Sequence, residues 1–163
     1  MSEKGTKSSN KQYIGFMLGS EEFTTPISLV QEIVEIPKVT YVPSLPPYVE
    51  GVMNLRGRII PVVDMKKRLE FGEKTLSIDS RVIIFRTNRV VGFIVDSITQ
   101  VFGLSDDRIE PPSGMMLARP EGKFVLGIAK LPNRLPIILD VAKIIENSKS
   151  KYYKKRNEIV ETA

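Results

Sequence analysis

The feature that most restricts the fold of this chain is a weak internal repeat. Residues 68 positions apart match, so that Ile14 falls on Val82 and Phe23 falls on Val91. Short apolar runs rich in Val and Ile, separated by turn residues, are typical of β-strands. The runs form two hairpin patterns: Tyr13 to Leu18 with Phe23 to Ile27, and Arg81 to Phe85 with Val90 to Val95. The repeat therefore predicts two similar β units.

The same offset continues into the segment LVQEIVEI, from Leu29 to Ile36. Its apolar residues Val30, Ile33 and Val34 fall on Ile98, Val101 and Phe102 in the second copy. The i, i+3, i+4 spacing predicts a short amphipathic helix in each copy. In the first helix the three apolar side chains would point inward and Glu32 would face water.

After a Pro-rich connection the offset grows to 76, and GVMNLRGRIIPVVDMKKRL lies over GIAKLPNRLPIILDVAKII without a gap. Asp64 and Asp140 each follow a strand pattern and precede a helical one, so both are predicted helix caps. Gly72 is predicted to end the first of these helices. A plan of hairpins and short helices used twice predicts a mainly β fold of two small antiparallel barrels, because closed barrels remove exposed sheet edges.

The net charge of +5 lies in the ends of the chain. Of the 24 basic and 19 acidic residues, 15 of each lie between Gln12 and Ala142. The body therefore carries no net basic field that would attract nucleic acid. The run Lys151 to Arg156 remains open as a contact for RNA or anionic lipid, although a solvated tail is the simpler interpretation. No apolar run is long enough to cross a bilayer, so no membrane insertion is expected.

The side-chain chemistry argues against an enzyme. The chain has no His and no Cys, which leaves serine with lysine, paired carboxylates or a carboxylate-held metal as the means of catalysis. No phosphate-binding glycine loop or calcium loop is present. We therefore expect no catalytic residue, no metal and no cofactor, and we expect the function to lie in surfaces.

One such surface is the bend of the hairpin around Arg56. Asn54 and Gly57 bracket this bend, and Gly57 can supply a positive φ if the turn needs one. A solvated arginine is the simplest interpretation of Arg56. Arginine is also enriched at the centres of protein interfaces, so Arg56 is a candidate anchor for a partner. Within the chain, Glu32 is its candidate ion-pair partner.

These segments resemble the chemotaxis coupling protein family, CheW. The family pattern V-x-E-I is met by Val30 to Ile33, and the pattern G-V-x-N-L-R-G-x-x-x-P-V-x-D is met by Gly51 to Asp64. The resemblance covers roughly Gln12 to Ile145. It implies two intertwined, five-stranded SH3-like barrels: a first barrel at about 14–79, a second at about 80–140 together with the N-terminal edge, and a closing helix at about 141–150. Residues 1–11 are then a flexible tail, 12–146 the CheW-like domain, and 147–163 a basic helical extension or tail.

The resemblance also implies the function. CheW-like proteins catalyse nothing; they are cytoplasmic adaptors, recruited to membrane-bound receptor arrays, that bridge the tips of chemoreceptors to the histidine kinase CheA. In the family, receptor contact maps to the groove between the barrels and to positions that are Val30, Glu32, Asn54, Leu55, Arg56 and Gly57 here. The kinase-binding residues are not assigned. The alternative is a kinase-binding scaffold without direct receptor contact.

Overall fold

The structure, a computed structural model, describes residues 10–70 and 72–146. Within this part the chain forms eleven strands and three short α-helices. The helices are α1 (Met65–Arg68), α2 (Gly114–Leu117) and α3 (141–146). The strands are β1 (Lys11–Leu18), β2 (Glu21–Pro26), β3 (Val30–Glu35), β4 (Val49–Leu55), β5 (Arg58–Asp64), β6 (Arg81–Arg86), β7 (Val90–Val95), β8 (Ser97–Leu104), β9 (Ile109–Glu110), β10 (Val125–Ala129) and β11 (Ile137–Leu139).

The strands form two sheets, which confirms the prediction of two β units. One sheet has the order β3-β6-β7-β5-β4 and the other the order β9-β10-β11-β2-β1-β8. Each sheet also contains one parallel pair, β5 with β7 and β11 with β2, so the expectation of wholly antiparallel pairing is wrong there. Val62 pairs with Gly92, and Ile138 pairs with Thr24. These two pairs are related by the offsets of the repeat, so the two barrels are built in the same way.

The two copies of the repeat exchange their hairpins. The hairpin β1–β2 of the first copy pairs with β8 and β11 of the second, whereas β6–β7 of the second copy pairs with β3 and β5 of the first. The five-stranded sheet therefore spans 30–95, and the six-stranded sheet combines 11–26 with 97–139. The predicted boundaries at 14–79 and 80–140 are wrong for both hairpins, because β1–β2 lies in the six-stranded sheet and β6–β7 in the five-stranded one.

The segment after the first hairpin is a strand, which corrects the helix predicted from Leu29 to Ile36. Only Ile27–Leu29 forms a helical turn, of the 3-10 type, before β3 begins. Ile33, predicted to point inward, is 37% exposed. The equivalent segment of the second copy is β8, in which Val101 is 49% exposed. β-branched residues favour strands, and burial alternates regularly along β3, so the helix-like spacing arises because the apolar Ile33 lies on the exposed face of the strand.

The two helix caps are where the sequence predicts them. The Asp64 carboxylate accepts a hydrogen bond from the backbone N–H of Lys67 at 3.4 Å, and Asp140 accepts one from Lys143 at 3.0 Å. α1 is shorter than predicted, because it ends at Arg68 with Leu69 as its C-cap rather than at Gly72. The predicted closing helix is described over 141–146. Its predicted extension to 150, most of the N-terminal tail (1–9) and the C-terminal tail (147–163) lie outside the described residues.

The core consists of three apolar clusters, one inside each barrel and one between the barrels. The five-stranded barrel buries a cluster that includes Met53 and Val62, and the six-stranded barrel buries one around Leu104. The largest cluster lies between the barrels and combines side chains of both sheets, among them Phe23 and Phe93. Burial of apolar surface is the main favourable term in folding, so this shared cluster fixes one barrel against the other.

A buried arginine reinforces the contact between the barrels. The Arg68 guanidinium lies 5.1 Å from the ring centre of Tyr48 and 5.0 Å from that of Phe124. Tyr48 precedes β4 and Phe124 precedes β10, so the two rings are equivalent in the repeat and belong to different barrels. Burial lowers the pKa of Arg68. Its cation–π contacts therefore form in a partly desolvated place, where such contacts are strongest.

Candidate functional site

The bend between β4 and β5 is a two-residue turn with a defined geometry. Arg56 and Gly57 have φ angles of 52° and 85°, and positive φ at both central residues defines a type I′ turn. The Asn54 side-chain oxygen accepts a hydrogen bond from the Gly57 backbone N–H at 2.8 Å. This turn matches the right-handed twist of the strands that it joins. The turn therefore defines the backbone conformation at Arg56, and the expected positive φ of Gly57 is confirmed.

Arg56 forms a bidentate ion pair with Glu32. Nη1 of Arg56 pairs with Oε1 of Glu32, and Nη2 donates to Oε2 at 3.0 Å. The hydrogen bond from Arg56 lowers the pKa of Glu32, and the same bond raises the pKa of Arg56. The Arg56 side chain remains 72% exposed, against 24% for Glu32. The carboxylate orients the guanidinium while leaving most of it accessible to a partner.

This ion pair also joins the two edges of a sheet. Glu32 lies on β3 and Arg56 follows β4, and these are the first and last strands in the order of the five-stranded sheet. The sheet therefore curves until its edges meet, as a barrel requires. The six-stranded sheet shows a related contact, since Arg134, in the loop before β11, lies over the ring of Phe102 on edge strand β8 at 5.8 Å.

The structure places the six predicted site residues in two roles. Glu32, Asn54, Arg56 and Gly57 form one polar unit at the bend, which we call the Arg56 corner. Leu55 packs against the cluster of the five-stranded barrel, and Val30 packs against the cluster between the barrels. These two apolar side chains are therefore part of the core next to the corner rather than of its polar surface.

One apolar residue that the sequence analysis did not single out lies beside the Arg56 corner. Ile59 is 50% exposed and is paired in register with Asn54. An exposed apolar side chain next to a fixed guanidinium is a common composition for the centre of a protein interface. The sequence shows Ile59 as the second residue of the strand after the turn. Its apolar character alone does not indicate that its side chain is exposed.

Two further features are absent from the part of the chain that the structure describes. No group of three or more acidic side chains comes together there as a metal site would need. No helix in residues 10–70 and 72–146 is long and apolar enough to cross a membrane.

Comparison with known proteins identifies the family. A model of the CheW-like domain matches residues 12–149. The chemotaxis protein CheW of Helicobacter pylori is 36% identical over 138 residues, covering 83% of this chain and 81% of that protein. CheW of Klebsiella aerogenes is 31% identical over 140 residues, covering 84% of this chain and 82% of that protein.

A solved structure agrees with this result. The scaffolding protein TtCheW from Thermoanaerobacter tengcongensis superposes with a TM-score of 0.73 at 37% sequence identity, over 80% of this chain and 89% of that one. Its likeness extends to the doubled barrel with few short helices, which confirms the predicted SH3-like fold. These matches show that this chain is a member of the CheW family of chemotaxis proteins.

Proposed function

We propose that this protein couples the cytoplasmic tips of chemoreceptors to the histidine kinase CheA, acting as a cytoplasmic adaptor at receptor arrays without catalysing a reaction. The observation that carries the proposal is the Arg56 corner in a CheW-family fold: a rigid turn that holds an ion-paired yet 72% exposed arginine. The absence of His and Cys from the chain is consistent with a role in binding.

In this proposal the receptor contacts the Arg56 corner, with Val30 and Leu55 as supports. Arginine offers five N–H donors in a planar fork, and the pair with Glu32 occupies only one edge of that fork. The remaining donors are available to carbonyl or carboxylate groups of a receptor helix. The exposed side chain of Ile59, next to the corner, packs against the apolar face of that helix. A contact of this kind is small and reversible, as many signalling interfaces are.

The test compares Arg56→Ala with Arg58→Ala in binding to a receptor cytoplasmic fragment and to the regulatory domain of CheA. Arg58 is the matched control because it is also an exposed arginine beside the same turn. We expect Arg56→Ala to weaken receptor binding roughly tenfold or more, as for an interface hot spot, with kinase binding and the melting temperature unchanged. Arg58→Ala should leave both affinities near those of the natural protein.

A charge exchange separates direct contact from orientation. If Arg56 supports receptor binding only through its ion pair with Glu32, the double variant Arg56→Glu with Glu32→Arg should recover the binding that each single variant loses. If Arg56 itself touches the receptor, the double variant should stay weak. Unchanged receptor affinity in Arg56→Ala would remove the proposed role. If the unsubstituted protein binds the kinase domain but no receptor fragment, the result would instead favour a scaffold that contacts only the kinase.

A further inference from the structure

A cavity at one end of the six-stranded barrel has the chemistry of a site for an amide group. It has a volume of about 380 Å³ and opens to the surface. Leu135, 63% exposed, forms part of its apolar rim. The cavity is lined by Met17, Ser20, Glu21, Glu22, Arg134, Leu135 and Ile137. These residues come from the β1–β2 turn and from the approach to β11, which the hairpin exchange brings together.

The acidic side chains of the cavity already have basic partners. Arg134 donates from Nε to Oε1 of Glu22 at 2.7 Å, and Thr99 donates from its hydroxyl to the other oxygen at 2.7 Å. Arg119 donates to Oε2 of Glu21 at 2.7 Å, and it also pairs with Glu121. Glu21, Glu22 and Glu121 face Arg119 and Arg134, which leaves one negative charge in excess, so the net charge does not favour an anion here.

One acceptor and one donor in this cavity remain without a partner. Oε1 of Glu21 and Nη2 of Arg134 are shielded from solvent and have no hydrogen-bond partner among the described residues. An ionised carboxylate oxygen can only accept and a guanidinium nitrogen can only donate. Leaving such shielded atoms unpaired is unfavourable. Both side chains are 35% exposed, so a small rotation brings either atom to a ligand.

We propose that this cavity binds an amide group from a segment of a protein partner, with an apolar side chain next to it. The amide N–H donates to Oε1 of Glu21, and its C=O accepts from Nη2 of Arg134. The apolar side chain packs on Met17 and Leu135. A cationic ligand would satisfy Glu21 but leave the donor of Arg134 unpaired, and an anionic ligand would do the reverse. A neutral amide satisfies both.

The repeat gives independent support for a docking surface here. Leu135 falls on Ile59 at the offset of 76, and both are exposed apolar residues next to an arginine–glutamate pair. The ion pairs themselves are not equivalent, since Arg134 falls on Arg58 rather than on Arg56, so what the two barrels share is the exposed apolar position beside a paired arginine. The inference does not rest on receptor contact through the Arg56 corner.

The test is an NMR titration of the full-length, isotopically labelled protein with three small probes that share the same branched carbon skeleton. Isovaleramide carries a neutral amide, isovalerate a carboxylate and isopentylamine an ammonium group. We expect isovaleramide to shift the backbone signals of residues 20–22 and 134–137, and to bind about fivefold or more tightly than either charged probe, as one additional satisfied hydrogen bond allows. Equal or tighter binding of a charged probe at these residues would overturn the assignment, as would the absence of shifts there.

Three variants connect the shifts to the named atoms. Arg134→Lys keeps the positive charge but removes Nη2, and it should weaken isovaleramide about fivefold. Leu135→Ala, at an exposed position that folding does not depend on, should weaken all three probes alike through lost apolar contact. Arg58→Ala is the distant control and should leave the binding of all three probes unchanged. If Arg134→Lys and Leu135→Ala both bind isovaleramide as the natural protein does, the cavity is not the site.

Discussion

Replacing Gly51 by alanine tests whether the Pro-rich loop before β4 is locked to the first barrel through a backbone bridge. Gly51 has a φ of 149°, and a Cβ atom there would lie 2.1 Å from the carbonyl oxygen of Thr40. Thr40 and Val52 exchange two backbone hydrogen bonds, at 2.8 and 2.9 Å. The methyl group cannot fit unless Thr40 moves away, and that movement breaks the bridge.

The size of the effect follows from these contacts. Holding an L-residue at positive φ costs about 1–2 kcal/mol, and each lost backbone hydrogen bond adds about 0.5–1.5 kcal/mol. Gly51→Ala should therefore lower the free energy of unfolding by about 2–5 kcal/mol. For a protein of this length, about 2–4 °C of melting temperature is lost per kcal/mol, so the melting temperature should fall by about 4–20 °C.

Gly57→Ala is the matched control in the same calorimetric experiment. Gly57 also has a positive φ, of 85°, but a Cβ atom there meets nothing within 4 Å. This variant carries the backbone strain without the collision, so it should cost about 1 kcal/mol once the reduced freedom of the unfolded chain is included. If the two variants melt within about 2 °C of each other, a difference too small for a second kcal/mol, the bridge contributes nothing beyond strain and the reasoning is wrong.

Two further predictions concern the caps and the contact between the barrels. Asp64→Ala should cost about 2–4 kcal/mol, because the fully buried carboxylate accepts two backbone N–H groups, whereas Asp140→Ala, which removes one such bond at a half-buried position, should cost about 1 kcal/mol. Urea unfolding measures both, and equal losses would contradict the count of bonds. Arg68→Met keeps the apolar stem but removes the charge between two rings, so it should cost about 1–2 kcal/mol in the same assay. A more stable Arg68→Met protein would show that burying the charge outweighs the ring contacts.

The strands of the hairpins could be predicted because the same pattern of apolar runs and turn residues occurs in both copies of the repeat. The hairpins, the caps at Asp64 and Asp140 and the turn at Gly57 each depend on residues close in sequence, and all are found in the structure. The segment from Val30 to Glu35 was misassigned, because a spacing of i, i+3, i+4 also arises when a strand carries one apolar residue, here Ile33, on its exposed face. Its content of β-branched residues was the signal that favours a strand.

The exchange of hairpins could not be derived from such local patterns. Periodicity shows which residues form a strand, but it does not show which sheet receives that strand. The same limit applies to the second barrel's cavity, whose Glu21 and Arg134 are distant in sequence. The repeat did align Arg134 with Arg58, but Glu22 and Thr99, which complete its surroundings, carry no motif. The ion pair between Glu32 and Arg56 was predicted from the sequence. That it joins the two edge strands of the five-stranded sheet is known only from the structure.

The exchanged hairpins make the two barrels inseparable as folding units. A cut between the copies, near residue 80, would leave each half without the hairpin that completes its sheet. A second molecule of the same half would then have to supply the missing hairpin. Two separate copies of the repeat would therefore form a homodimer that exchanges hairpins. Joining two such copies in one polypeptide makes the dimer permanent. It also frees the two ends to diverge into an exposed arginine on one side and a recessed one on the other.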